Sequence, residues 1–198
     1  MELEYYVPAN VLLEHLPKNL DPDQSYVWEN KNRSKKLEGK VYQDLYLDIV
    51  VEKAGQFAVI ELKYPTKATQ MMKTALFGEQ NAYRGLKNHG ADDIVKYNLW
   101  KDVRRIELVK TAFPNVVGGF ALMVTNDPIY QAKPKPNTLK KNFGMDEGPH
   151  TRDKHWPENA TIGITLPGFN LDQNYKISWE PINFVNKSLD FKYTLIKI

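Results

Sequence analysis

The stretch LYLDIVVEKAGQFAVIELKY, residues 45–64, constrains the fold more than any other part of the chain. Leu45 to Glu52 and Phe57 to Tyr64 read as two strands joined around Lys53-Ala54-Gly55-Gln56, whose Ala-Gly centre suits a tight turn. A two-residue and a four-residue loop give the same pairing, in which opposed residue numbers keep a constant sum, so Asp48 falls across from Glu61. Side chains alternate along a strand, which puts Asp48, Glu61 and Lys63 on one face and Ile49, Ile60 and Leu62 on the other. Carboxylates opposed across a ladder lie about 5 Å apart at Cβ and repel, so the pair destabilises a sheet unless something neutralises it.

A divalent cation would do so. Asp and Glu oxygens are ligands for Mg²⁺, which keeps several waters and completes its shell on a substrate phosphate. Such an ion acidifies a bound water and offsets charge developing on phosphorus. Lys63 can place its ammonium beside that water or a phosphate oxygen. Asp48, Glu61 and Lys63 therefore make a phosphodiester hydrolysis site, with Asp48 and Glu61 as metal ligands and Mg²⁺ or Mn²⁺ as cofactor. The plainer reading is a solvated strand face on which Glu and Lys alternate by chance. The functional reading is preferred because both strands are strongly apolar on the opposite face, the turn fixes the register, and helix-forming sequence follows Lys63.

Around this hairpin, 198 residues with 42% hydrophobic side chains can bury one good core, and no Gly/Ser linker divides them, so a single domain spanning 1–198 is expected. Pro8 to Leu16 predicts a short helix, and Tyr26 to Trp28 a strand. Lys67 to about Lys87 has helical composition, with Gly78 and Gly85 as weak points. Asp92 to Lys110 is the clearest helix, with Val95, Leu99, Val103, Ile106 and Val109 on one stripe. Gly118 to Asp127 is an apolar run of the kind that forms a central strand buried on both faces. Residues 128–159 lack periodicity, which in a segment so long marks function or disorder. Thr161 to Leu166, Tyr175 to Trp179 and Phe191 to Ile198 read as further strands.

Composition excludes several chemistries. The absence of cysteine rules out disulfides and thiolate zinc sites, and four scattered His residues argue against a His-based one. A net charge of +3 is compatible with a polyanionic partner without indicating one. The first twenty residues have no signal-peptide pattern and no apolar run approaches the ~18 residues of a membrane span, so a soluble, cytoplasmic protein is expected.

With Asp48 in YLDIVV and Glu61 and Lys63 in AVIELKY, the chain resembles the PD-(D/E)XK nuclease superfamily, and within it an uncharacterised bacterial group that is similar over HGADDIVKYNLWKDVRRIE, GGFALMVTND and the C-terminal YKISW and FKYTLIKI. The resemblance implies an α/β, restriction-endonuclease-like αβββαβ core, a central mixed sheet flanked by helices with extra C-terminal strands, and Mg²⁺-dependent cleavage of nucleic acid, DNA foremost. Cutting both strands of a duplex commonly takes two active sites, which makes a homodimer a natural expectation. The chain departs from the family pattern in having Leu47 rather than Pro before Asp48. It also lacks a clear counterpart of the N-terminal helical glutamate, for which Glu14 is the nearest candidate. Folds of this kind can lose catalysis and keep binding, so a nucleic-acid-binding, regulatory or protein-interaction module is the alternative.

Other residues carry weaker signals. Asp102 lies on the apolar stripe of the clear helix, costly if unpaired, and a structural partner such as Arg or Tyr is preferred over a catalytic role. Lys31, Arg33, Lys35 and Lys36 form one basic loop, and Lys133, Lys135, Lys140 and Lys141 another; either could bind phosphates, although solvated loops are the default. Trp28, Trp100, Trp156 and Trp179 could stack on bases but more often serve as core. His89 and His150 have no motif around them, and Gln80 could join the site from the segment after Lys63.

Overall fold

A computed structural model describes residues 2–18, 34–37, 40–43, 45–74, 80–182 and 190–198. The chain opens with β1 (Glu2–Val7) and α1 (Ala9–His15), then β2 (Ser34–Leu37), β3 (Lys40–Gln43), β4 (Leu45–Lys53), β5 (Gln56–Lys63), β6 (Thr69–Thr74) and β7 (Gln80–Leu86). There follow α2 (Asp92–Ala112), β8 (Val116–Thr125), β9 (Gly148–His150), β10 (Asp153–Lys154), β11 (Phe169–Asn170), β12 (Tyr175–Ile177), β13 (Glu180–Pro181) and β14 (Lys192–Lys197). Six strands form a mixed sheet in the order β1-β4-β5-β8-β14-β13, antiparallel throughout except for the central parallel pair β5 and β8. The fold class is thus α/β, with β8 central as its apolar sequence predicts but fully buried on one face only: Ala121, Met123 and Thr125 are buried, whereas Phe120, Leu122 and Val124 on the other face are half-buried. The expected strand at Tyr26 to Trp28 lies outside the described residues.

The β4–β5 turn forms as its residues dictate. Ala54 and Gly55 both take positive φ, 52° and 76°, as a two-residue hairpin turn matched to strand twist requires. The Gly55 amide donates to Glu52 Oε1 at 2.7 Å, and the ladder runs from Lys53↔Gln56 to Ile49↔Ile60 in the predicted register.

The helix α2 is the crossover between parallel β5 and β8. Asp92 and Asp93 in its first turn complement the positive helix end. It lies close to the sheet because β8 carries Gly119 there: a Cβ at that position would fall 2.3 Å from Ile106 Cγ2. Its other side is equally buried, so the predicted apolar stripe understates it. Segment 128–179 folds over that side as a third layer, where Tyr97 meets Phe143, Trp156 and Phe169 at ring separations of 5.4, 5.5 and 5.7 Å. Residues 128–159 are therefore ordered structure. The wholly buried Lys154 holds its ammonium 3.7 Å from the Trp100 ring centre and donates to the Asn142 carbonyl at 3.1 Å.

Four expectations are corrected. Within the segment expected to be helical from Lys67 to Lys87, Thr69–Thr74 and Gln80–Leu86 form the antiparallel pair β6–β7 instead, while residues 75–79 lie outside the described residues; Gly78 and Gly85 each cost a helix about 1 kcal/mol, which weakens that alternative. Thr161 to Leu166 makes a 3₁₀ turn over Thr161–Ile164 rather than a strand, with Gly163 lying against Trp156. The strand that pairs with the outer edge of β4 is β1, which precedes α1 rather than following it. Finally, the helices among the described residues do not flank the sheet. His15 of α1 packs on Phe113 at the end of α2 with rings 5.2 Å apart, and Val11 shares an apolar cavity of about 200 Å³ with Val59, Val109 and Phe113. Both helices among the described residues therefore lie on one face of the sheet.

Candidate active site

The face that α2 covers is the one carrying Glu61 and Lys63. Phe57 and Val59, which alternate with them in register along β5, line the cavity under Val109 and Phe113, and Glu61 itself is 1% exposed. The apolar residues opposite, Ile60 and Leu62, point to the helix-free side. The predicted charged cluster therefore sits inside the sheet–helix layer rather than on a solvated strand face.

Asp48 reaches this cluster through a local irregularity. Leu47 and Val50 both line the cavity although they are three residues apart, so side-chain alternation in β4 slips by one residue beside Asp48. In the neighbouring strand the pairs Leu3↔Ile49 and Tyr5↔Leu47 put Glu4 level with Asp48, and Glu4 has φ 56°. Such interruptions re-aim a side chain at the margin of a site. Asp48 lies one step beyond the last ladder pair with β5, and its Oδ2 accepts the Leu62 amide at 2.7 Å.

Glu61 is the unusual group. Its Oε1 is buried with no hydrogen-bond partner. Burial pushes its pKa up to about 9, the nearby Asp102 and Asp48 carboxylates push the same way, and Arg105 and Lys63 only partly oppose them. Lys63 ion-pairs with Asp102. Burial works against the charged ammonium of Lys63, but Asp102 outweighs it and holds the pKa above its ordinary value. Asp102 also receives Arg105 Nη1 at 3.2 Å, and Arg105 Nη2 donates to the Tyr46 carbonyl at 3.3 Å, tying α2 to β4. Lys101 is lowered by burial and by the neighbouring Arg105 and Lys63 charges.

The three predicted residues Asp48, Glu61 and Lys63 are thus brought within electrostatic reach of one another. Sequence reasoning missed the contribution of α2: Lys101, Asp102 and Arg105 join the cluster from above. The i,i+3 spacing of Asp102 and Arg105 was the available signal; the Lys63–Asp102 pair needs the tertiary fold.

The weaker candidates separate. Trp100, Trp156 and Trp179 are anchored by their indole N–H groups to the carbonyls of Gly144, Leu166 and Met145 and serve as core. His89 accepts the Thr66 amide at 3.0 Å, and His150 bonds the Asp146 carbonyl. Lys140 is held by Asp92 at 2.6 Å, while Lys133, Lys135 and Lys141 are exposed. Glu14 is exposed on α1. Trp28, Lys31 and Arg33 lie outside the described residues, as do the side chains of Lys35, Lys36 and Gln80.

A divalent cation fits this chemistry through Glu61. A buried carboxylate oxygen without a donor, beside a second carboxylate, is relieved by a positive ion. Among the described residues no three acidic or His side chains form a ready ligand set, so Asp48 and Glu61 would hold the ion and water would complete its shell, as Mg²⁺ prefers. No helix among the described residues is long and apolar enough to cross a membrane. Comparison with family models, with curated proteins and with solved structures finds no match to this chain.

Proposed function

We propose that the chain is a Mg²⁺- or Mn²⁺-dependent nuclease of restriction-endonuclease-like fold, hydrolysing phosphodiester bonds in nucleic acid, DNA foremost. The observation that carries this reading is the buried, donorless Oε1 of Glu61, placed with Asp48 and Lys63 at the end of a hairpin. In support of the fold, α1, β4, β5, α2 and β8 follow the order of that core, and β1 adds the third antiparallel strand from before α1. Asp48 and Glu61 hold the ion, which when bound supplies an acidified water and offsets phosphate charge. Lys63, kept charged by Asp102, presents its ammonium to the phosphate oxygen on which charge develops. Asp102 acts as a positioning residue.

One observation favours a second reading, a module that binds nucleic acid without cutting it: Lys63 is engaged by Asp102 instead of being directed to an open phosphate position. The test is cleavage of labelled single- and double-stranded DNA and RNA with Mg²⁺ or Mn²⁺, comparing the native chain with Asp48→Ala and Lys63→Ala. Metal-dependent cutting should fall by a factor on the order of 10²–10³ in each variant, the scale of losing one charge-stabilising group. Absence of cutting on every substrate, with no metal binding by calorimetry, overturns the enzyme. Retained nucleic-acid affinity in Lys63→Ala with a modest salt-dependent loss would then establish the binding module.

A further inference from the structure

The sheet face opposite the helices carries a second surface. Pairing registers place Leu3, Ile49, Ile60 and Phe120 in one row across four strands. Leu62, Leu122 and Leu195 form a parallel row across β5, β8 and β14. Val51 and Tyr64 extend the patch at its two ends. Leu3 is 65% exposed, Val51 37%, Leu62 40% and Leu195 41%, and Ile49, Ile60, Phe120 and Leu122 are half-buried. No helix among the described residues covers this face.

We propose that this sheet face is the interface of a homodimer, two copies packing sheet against sheet about a two-fold axis. Area is the first argument. The exposed fractions of Leu3, Val51, Leu62, Tyr64 and Leu195 amount to on the order of 450 Å² of mostly apolar surface, and the four half-buried residues add to it, which puts the patch at the upper end of those on monomers and makes it the centre of the ~800 Å² each partner buries in a standard interface. Charge is the second. The two rows contain no ionisable side chain, and the exposed lysines, Lys53 after Val51 and Lys197 opposite Phe120, stand at the margin. An apolar centre with a polar rim suits a protein partner. A polyphosphate chain would need cations where this face has leucines. Shape is the third: rows of alternating aliphatic side chains on a twisted sheet interdigitate with a second such sheet about 10 Å away. A two-fold interface uses the same patch twice, so a face without charge to match is self-complementary.

This proposal is independent of catalysis, because Glu61 and Lys63 lie on the other side of the sheet. It is tested on the full chain by sedimentation equilibrium, with no activity readout. The native protein should be dimeric with Kd in or below the micromolar range, the weak end for an interface of this size. Leu195→Glu and Val51→Glu should each weaken the dimer on the order of 100-fold, since each buries an unpaired charge at the contact. Both positions are open in the single chain, so circular dichroism should show the fold unchanged. Ile164→Glu, at a position 85% exposed on the layer beyond the helices, should leave Kd unaltered. A native chain that stays monomeric up to about 100 µM overturns the proposal. So does a dimer that both sheet variants leave as tight as before, which would place the contact on another face.

Discussion

Two clusters of buried charge sit on opposite sides of α2, and they are built in opposite ways. On the side facing the third layer, Glu107 is fully served. Its Oε1 accepts the Asp172 amide at 2.9 Å and the Tyr175 hydroxyl at 2.8 Å, and its Oε2 accepts Arg104 Nη1 at 2.9 Å. Arg104 also meets Asp172 at 2.6 Å. On the sheet side, Glu61 has an oxygen with no donor and two further carboxylates close by. Both acids have raised pKa values because burial disfavours their charge, but hydrogen bonds from Arg104 and Tyr175 pull Glu107 back, whereas Glu61 is driven further by Asp102 and Asp48. A closed network is what a protein builds to hold itself together; an acid left open among like charges is costly, and such costs concentrate where a site binds something.

The largest expected effect breaks the closed cluster. Glu107→Ala takes one of two carboxylates from the buried Arg104, which keeps Asp172, and strips the Asp172 amide and the buried Tyr175 hydroxyl of their acceptor. Breaking a buried ion-pair network by removing one partner costs about 3–5 kcal/mol, and the retained Asp172 places the loss toward the low end. Urea unfolding at neutral pH measures it. A loss below about 1 kcal/mol would mean that the network is not structural in this sense.

The next effect has the opposite sign. With its pKa at about 9 in the fold against an ordinary 4.5, Glu61 keeps a proton that the unfolded chain has released between those values. Its contribution is therefore complete below pH 4.5 and is lost as pH rises toward 9. Between pH 4.5 and 7 the loss from this one group is about 3 kcal/mol, at 1.36 kcal/mol per pH unit. Glu61→Gln, which keeps the shape and removes the titration, should flatten that slope in metal-free buffer and be the more stable protein at pH 8. Identical pH profiles for the native chain and the variant would remove the open cluster from the comparison.

How much of this was legible beforehand depends on distance in the chain. The β4–β5 register followed from Ala54-Gly55 and alternation alone, and it brought Asp48, Glu61 and Lys63 together on paper because all three lie within one hairpin. Helix α2 was legible because its apolar spacing is long and regular. Which side of the sheet that helix would cover was not, since alternation separates two faces without saying which is buried. Hence Asp102 was recognised as an anomaly on its stripe while its ion pair with Lys63, bridging separate elements, could not be read. The β6–β7 hairpin was misread because Met, Lys and Ala favour a helix by only tenths of a kcal/mol, a preference that two glycines and tertiary packing easily reverse.

The smallest effect sharpens the contrast most finely. Tyr175→Phe removes one of the two donors to Glu107 Oε1 while the Asp172 amide and Arg104 remain, so the carboxylate stays partnered at both oxygens. One net hydrogen bond is worth about 1 kcal/mol, or somewhat more to a charged group, and the ring keeps its packing against Trp100, 6.5 Å away. Unfolding should therefore shift by about that amount, far less than in Glu107→Ala. The Tyr175 hydroxyl lowers the Glu107 pKa, so its removal should also raise that pKa, measurable by NMR titration of the Glu107 side-chain carboxyl. A loss as large as that of Glu107→Ala would show that the cluster has no redundancy and that its closure depends on every donor at once.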